Sequence, residues 1–196
     1  MQGKLDELMQ AELNHVPQGL KPFFTKAQEG DFDGQVMMTM SYMAYAYGRA
    51  FEEFAVAGLN DWPKKDYIAQ PMCFLARHSI ELWLKYAIKE YQEFLGDRSA
   101  STDHHAVMKL WNALTPLRGA AGVEEGDYAG YVGKLLNHLN EIDPDGEQFR
   151  YPHTKAGEVF TLAKVELEGL LKAYLHVTRY AEASVEMLPD LADEIE

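Results

Sequence analysis

Four polar side chains on one apolar segment set the chemical question for this chain. The stretch Phe74-Leu-Ala-Arg-His-Ser-Ile-Glu-Leu-Trp-Leu-Lys-Tyr-Ala-Ile88 reads as a helix. Wound at about 100° per residue, it places Arg77, His78, Glu81 and Lys85 within roughly one third of the circumference. Cys73, Ile80, Leu84, Ile88, Tyr91 and Leu95 line one side of that arc, and Leu75, Leu82, Trp83 and Tyr86 cover much of the rest. A helix this apolar belongs at the centre of a bundle, where charges need partners. Two further residues join them: His105, at a helix start after a polar loop, and Arg150, in the segment Phe149-Arg-Tyr-Pro152. Imidazole transfers protons near neutral pH, and the planar guanidinium fork grips anionic oxygens. Each residue also has a purely structural reading. Arg77 can bridge Glu81 one turn on, or Asp143 or Glu147 from a nearby turn. His78 can be a satisfied core histidine, His105 can bond Asp103, and Arg150 can latch residues 143–157 onto the bundle.

The elements that must position these residues are helical, and no run alternates with strand periodicity. A first helix is expected over Lys4 to Asn14, ended by Pro17 and Gly19. A second runs from Gly34 to Ala57, capped by Asp31 or Asp33 and closed by Gly58 and the Trp62-Pro63 turn. The third starts near Pro71 and ends at Leu95-Gly96. Residues His104 to Leu114 and Tyr128 to Ile142 read as two shorter helices, separated by the Gly-rich segment Arg118 to Gly126. Asp143-Pro-Asp-Gly146 is a turn, and Phe149 to Gly157 is an irregular connection. A last helix extends from Glu158 or Leu162 to Met187. The predicted fold is an all-α helical bundle with long antiparallel helices and two irregular connections. It forms one domain over residues 1–188, followed by an acidic tail at 189–196.

Composition narrows the function. The chain has 196 residues, 47% of them hydrophobic, which suits a globule with a sizeable core. Its net charge of −13 disfavours sequence-blind binding to nucleic acid, while leaving room for a local basic pocket. Cys73 is the only cysteine and sits on the apolar side of its helix, which predicts a buried thiol and no disulfide within the chain. The charged start lacks a signal core, and no apolar run reaches the length of a membrane span. A cytoplasmic protein without membrane attachment is expected. No His-x-x-x-His pair or second cysteine offers a metal site, and no Gly-x-Ser-x-Gly elbow or phosphate-cradling glycine loop is present. Neither metal nor cofactor is expected.

The order Arg-His-x-Ile-Glu-Leu-x-Leu-Lys, then His-x-x-x-x-Leu-Trp, then Asp-Pro-x-Gly-x-x-Phe-Arg-Tyr-Pro resembles uncharacterised bacterial members of the HEPN-like helical superfamily. The resemblance runs from about Met72 to Gly157 and implies a HEPN-like bundle, often dimeric. Many such domains are metal-independent RNases of toxin–antitoxin and antiphage defence systems. Their hallmark is an Arg followed by four to six residues and a His. Here Arg98 precedes His104 by five intervening residues and His105 by six, whereas Arg77-His78 and Arg150-Tyr-Pro-His153 fall outside the pattern. The resemblance implies His105 or His78 as acid/base, with Arg77 and Arg150 holding phosphate. The partners it implies are a second copy of the chain, RNA or a nucleotide, and an antitoxin or other defence protein. The alternative is a non-catalytic helical interaction or nucleotide-binding module acting through dimerisation, with the Arg/His/Glu/Lys arc as an internal polar network.

Overall fold

The computed structural model describes residues 2–13, 39–60, 65–154, 156–160 and 164–193. Contacts group the chain into two compact units, residues 1–34 and 35–196. In the first, helix α1 spans Gln2–Leu13. In the second lie α2 (Met40–Asn60), α3 (Lys65–Leu95), α4 (Val107–Ala120), α5 (Asp127–Ile142), α6 (Leu167–Glu186) and α7 (Leu188–Asp193). No strand occurs among the described residues, whose one β-bridge pairs His153 with Val159. The protein is an all-α helical bundle. No described helix is long and apolar enough to cross a membrane.

Helix α3 is the central element, packed against α2, α4 and α6. Its Met72, Ala76, Ile80, Leu84, Ala87, Ile88 and Tyr91 are buried, as the apolar spacing predicts. Truncating one of them, such as Leu84→Ala, carries the usual core cost of about 2–5 kcal/mol. Cys73 is buried as expected, and burial pushes its thiol up to about 12, which makes it inert.

Pairwise contacts give the helix directions. Ser79 on α3 donates to the Ala44 carbonyl of α2 (2.7 Å), and Gly58 of α2 lies against Ile68, so α2 and α3 are antiparallel. Gly58 also meets Leu167 while the Phe51 ring packs at a tilt on Tyr174, so α2 is antiparallel to α6 as well. Helices α3 and α6 run parallel: Ser79 meets the Tyr174 hydroxyl (3.0 Å), and the Tyr91 hydroxyl donates to the Ser184 carbonyl (2.8 Å). The close approach of α2 to α6 depends on Gly48, where a methyl would overlap the Tyr174 hydroxyl.

Helix boundaries depart from the sequence expectation for identifiable reasons. Helix α3 begins at Lys65, six residues before Pro71, because Ile68 gains burial against α2. Helix α4 continues through Pro116 to Ala120, because Leu117 and Arg118 are buried beyond it. Both prolines forfeit a helix hydrogen bond, at a cost of about 3 kcal/mol that tertiary packing offsets. Helix α6 starts only at Leu167, with the Glu166 carboxylate accepting from the Gly169 amide (2.6 Å) as its cap. Helix α2 runs past Gly58 to Asn60, and the acidic tail from Pro189 is helical as far as Asp193. The caps expected at Asp31 or Asp33, the proposed start at Gly34, the Pro17/Gly19 stop and the Trp62-Pro63 turn lie outside the described residues.

The connection 97–106 returns along α3 instead of forming a hairpin. Gln92 donates to the Ala100 carbonyl (2.7 Å), and Arg77 donates to the His105 carbonyl (2.6 Å). Helix α4 therefore starts beside Arg77, parallel to α3, at the end of the bundle where α5 finishes and α6 begins. That end gathers the candidate site.

Candidate functional site

Arg77 holds this end together. Its side chain is 4% exposed, and all three of its nitrogens face protein acceptors. Nη1 donates to Glu81 Oε2 (3.0 Å), and Nη2 donates to the His105 carbonyl (2.6 Å). Nε lies 3.0 Å from Asp143 Oδ2, an ion contact off the hydrogen-bond axis, and 3.4 Å from the Asp143 carbonyl. One side chain thus ties α3 to the 97–106 connection and to the turn after α5. The structural readings of Arg77 against Glu81 and Asp143 both hold. The phosphate-holding role expected of Arg77 does not fit, because no donor remains exposed to a ligand; its effect passes through the groups it positions.

The turn after α5 closes over the guanidinium. Asp143 Oδ1 accepts from the Gln148 amide (3.0 Å), and Gln70 donates to the Gln148 carbonyl (3.4 Å). Gly146 has φ +75°, a left-handed conformation that disfavours side chains, and a methyl there would sit 2.8 Å from Arg77 Nη1. Sequence marked this glycine as turn chemistry; its packing onto Arg77 is the stronger constraint.

Glu81 is the hub. Its side chain is 3% exposed, and Oε1 receives Lys85 Nζ (2.9 Å) and faces His105 Nδ1 (2.9 Å). Burial opposes the charged carboxylate, yet Lys85, His105 and Arg77 together outweigh it and hold the pKa below its ordinary value. An ionised Glu81 accepts, so Nδ1 carries a proton, and in that neutral tautomer Nε2 is the lone-pair nitrogen. The bond to Asp103 expected for His105 is replaced by this longer-range one, which residue spacing could not reveal.

His105 itself is outside α4. Lys109 and Leu110 amides both turn to the Ala106 carbonyl, while the His105 carbonyl is taken by Arg77. The ring is 60% exposed and lines a cleft of about 570 Å³ with Asp145, Glu147, Arg150, Tyr151, Pro152, His153 and Thr154. Arg150 is exposed, donates to its neighbour's Tyr151 hydroxyl (2.9 Å) and lies over that ring. It is not the latch; Gln148 and Asp143 perform that task. The far wall is a tight loop in which Thr154 donates to the Glu158 carbonyl (2.8 Å) and Phe160 to the Pro152 carbonyl (3.2 Å). His153, whose spacing from Arg150 falls outside the hallmark, belongs to the same cleft.

His78 is elsewhere. It stacks on Phe74 (5.4 Å, 10°) and meets Tyr47 edge-on (4.5 Å). Burial lowers its pKa, Glu81 opposes that, and Lys85, Arg77 and Arg150 add to it. A half-buried aromatic setting makes it the satisfied histidine of the two readings, and it does not line the cleft. The hallmark spacing is not realised as a pair either. The anchors of Ala100 and His105, Gln92 and Arg77, are about 22 Å apart on an ideal helix, so the stretch from Arg98 to His105 is spent running along α3.

What the arrangement offers chemically is a histidine fixed by a buried carboxylate, facing a cleft with an arginine, a second histidine and a tyrosine. The chain matches no protein-family model, no curated protein and no solved structure.

Proposed function

We propose that the chain is a HEPN-like, metal-independent ribonuclease of a bacterial toxin or antiphage system, with His105 as its proton-transfer group. The observation that carries this reading is the 2.9 Å contact between His105 Nδ1 and the buried Glu81, which leaves Nε2 as the second nitrogen of a ring that lines the cleft with Arg150. In the proposed reaction Nε2 removes the ribose 2′-hydroxyl proton. The 2′-oxygen bonds to phosphorus, the bond to the 5′-oxygen breaks, and an acid returns a proton to that oxygen. His153 lines the same cleft and suits the acid role. Arg150, exposed and charged, balances the phosphorane oxygens. Arg77, Glu81 and Lys85 position His105 and do not touch substrate.

The test is RNA cleavage by the purified chain with EDTA present, beside His105→Ala, Arg150→Ala and Glu125→Gln. His105→Ala is expected to reduce cleavage about 10²–10⁴-fold. Arg150→Ala should follow it, and Glu125→Gln, at the other end of the bundle, should leave the rate unchanged. Cleavage surviving in a folded His105→Ala protein rejects the assignment.

A second reading is a non-catalytic interaction or nucleotide-binding module. Two observations favour it: Arg77 is buried with each nitrogen against a protein acceptor, and Asp145 and Glu147 share the cleft in a chain of net charge −13. Saturable mononucleotide binding that depends on Arg150, with no cleavage of several RNAs, selects this reading.

A further inference from the structure

A second cavity lies away from the His105 cleft, between α3, α5 and α6. It has a volume of about 530 Å³ and is walled by apolar side chains, among them Ile80, Leu136, Leu139, Phe149, Leu170 and Val177. Pockets between bundle helices in this size range commonly hold small ligands. Its polar groups are mostly committed. The Tyr174 hydroxyl is bonded to Ser79 (3.0 Å), and the Glu166 carboxylate caps Gly169 (2.6 Å). At the rim stand Lys164, which is exposed, and His138, whose Nδ1 lies 3.8 Å from Glu141.

We propose that this cavity binds a medium-chain aliphatic carboxylate, its tail among the leucines and its head group at Lys164. An apolar interior excludes a charged ligand from its depth, because an unpaired buried charge is expensive. The same interior gives no hydrogen bonds to a sugar or a base. A cation at the rim of a mostly apolar cavity, whose one carboxylate, Glu166, is engaged by the Gly169 amide, selects an amphipathic anion, with the chain desolvated and the head group at the water boundary. This site is independent of the ribonuclease reading and stands whether or not RNA is cleaved.

The experiment is calorimetric titration of the full chain with decanoate below its micelle concentration, alongside acetate and decanol, with melting temperature as a second readout. Decanoate is expected to saturate a single site and raise the melting temperature with concentration, acetate to give no response, and decanol to bind at least tenfold more weakly. Ala173→Phe, which fills the cavity from α6, should abolish binding in a protein that remains helical by circular dichroism. Lys164→Glu alters only an exposed rim residue and should weaken decanoate binding at least tenfold. Absence of saturable decanoate binding overturns the proposal. So does binding unchanged by Lys164→Glu, or decanol binding as tightly as decanoate.

Discussion

The bundle buries two arginines, one at each end, and they are used differently. Arg118, at the far end of α4, donates to Glu125 Oε1 (2.9 Å) and to the Ser184 hydroxyl, and lies 4.7 Å over the Tyr180 ring. The Tyr180 hydroxyl donates to Glu125 Oε2 (2.9 Å), and Ser184 in turn donates to the Tyr180 carbonyl (2.7 Å). These contacts close on themselves and join α4, the connection that precedes α5, and α6. Arg77 has a comparable burial and a glutamate partner, but its glutamate also faces an exposed histidine beside a cleft. The difference teaches that a buried Arg–Glu pair is not itself a functional signal. What separates the two ends is whether the carboxylate's remaining capacity goes to a phenol of the core or to a ring in solvent.

The largest test of that comparison is stability. Arg77→Ala leaves Glu81 Oε2 and Asp143 Oδ2, both almost fully buried, without their guanidinium partner, and should cost about 3–5 kcal/mol. Arg118→Ala leaves Glu125, whose side chain is 28% exposed and can rehydrate, so about 1–3 kcal/mol is expected. Urea unfolding of both variants decides it, and an equal or larger loss at Arg118 breaks the distinction. Next in size is Gly146→Ala, which combines a disfavoured φ with overlap on Arg77 and should cost about 1–3 kcal/mol. Because it loosens the guanidinium and not the cleft lining, the proposed RNA cleavage should fall with it while Arg150-dependent binding persists. A Gly146→Ala protein as stable as the wild type would show that the turn yields without disturbing Arg77.

Acid titration separates the ends more finely. The folded pKa of Glu81 lies below its ordinary value of 4.5, so its contribution is complete above about pH 4.5 and is lost as pH falls through the folded value. Glu81→Gln should be less stable at pH 7 and flatter below 4.5, as measured by denaturant midpoints across pH. The smallest effect belongs to His78. Its folded pKa lies below the ordinary 6.5, so the unfolded chain binds more protons and stability declines as pH falls from about 6.5 to the folded value. His78→Phe should remove that decline, and a wild-type melting temperature that is flat between pH 7 and 5.5 would contradict the half-buried placement.

Sequence made part of this legible. Helical period exposed α3 as the central element. It placed Arg77, Glu81 and Lys85 on one arc, where i,i+4 spacing makes them partners. Asp143 was readable as a second partner because a turn of Asp, Pro and Gly follows a helix end. The Glu81–His105 contact was not, since it depends on the path of a loop across 24 positions. Arg118 was hidden for a different reason: it sits in a Gly-rich stretch that reads as a turn, and only tertiary burial pulls it into α4. The apolar cavity leaves no local signal, because its walls are ordinary core residues of three helices and one connection.

The strap that carries His105 spans most of the distance between its anchors. Its anchor points on α3 are about 22 Å apart, while five residues reach at most about 18 Å, and the side chains of Gln92 and Arg77 cover the rest. Such a tether responds asymmetrically to changes in its length. Added residues supply slack at little entropic cost, so insertions between Ala100 and His105 leave both anchors reachable. Removing residues shortens that reach, and a deletion beyond what the two side chains can cover releases Gln92 or Arg77, and with the second goes the imidazole's fixed address.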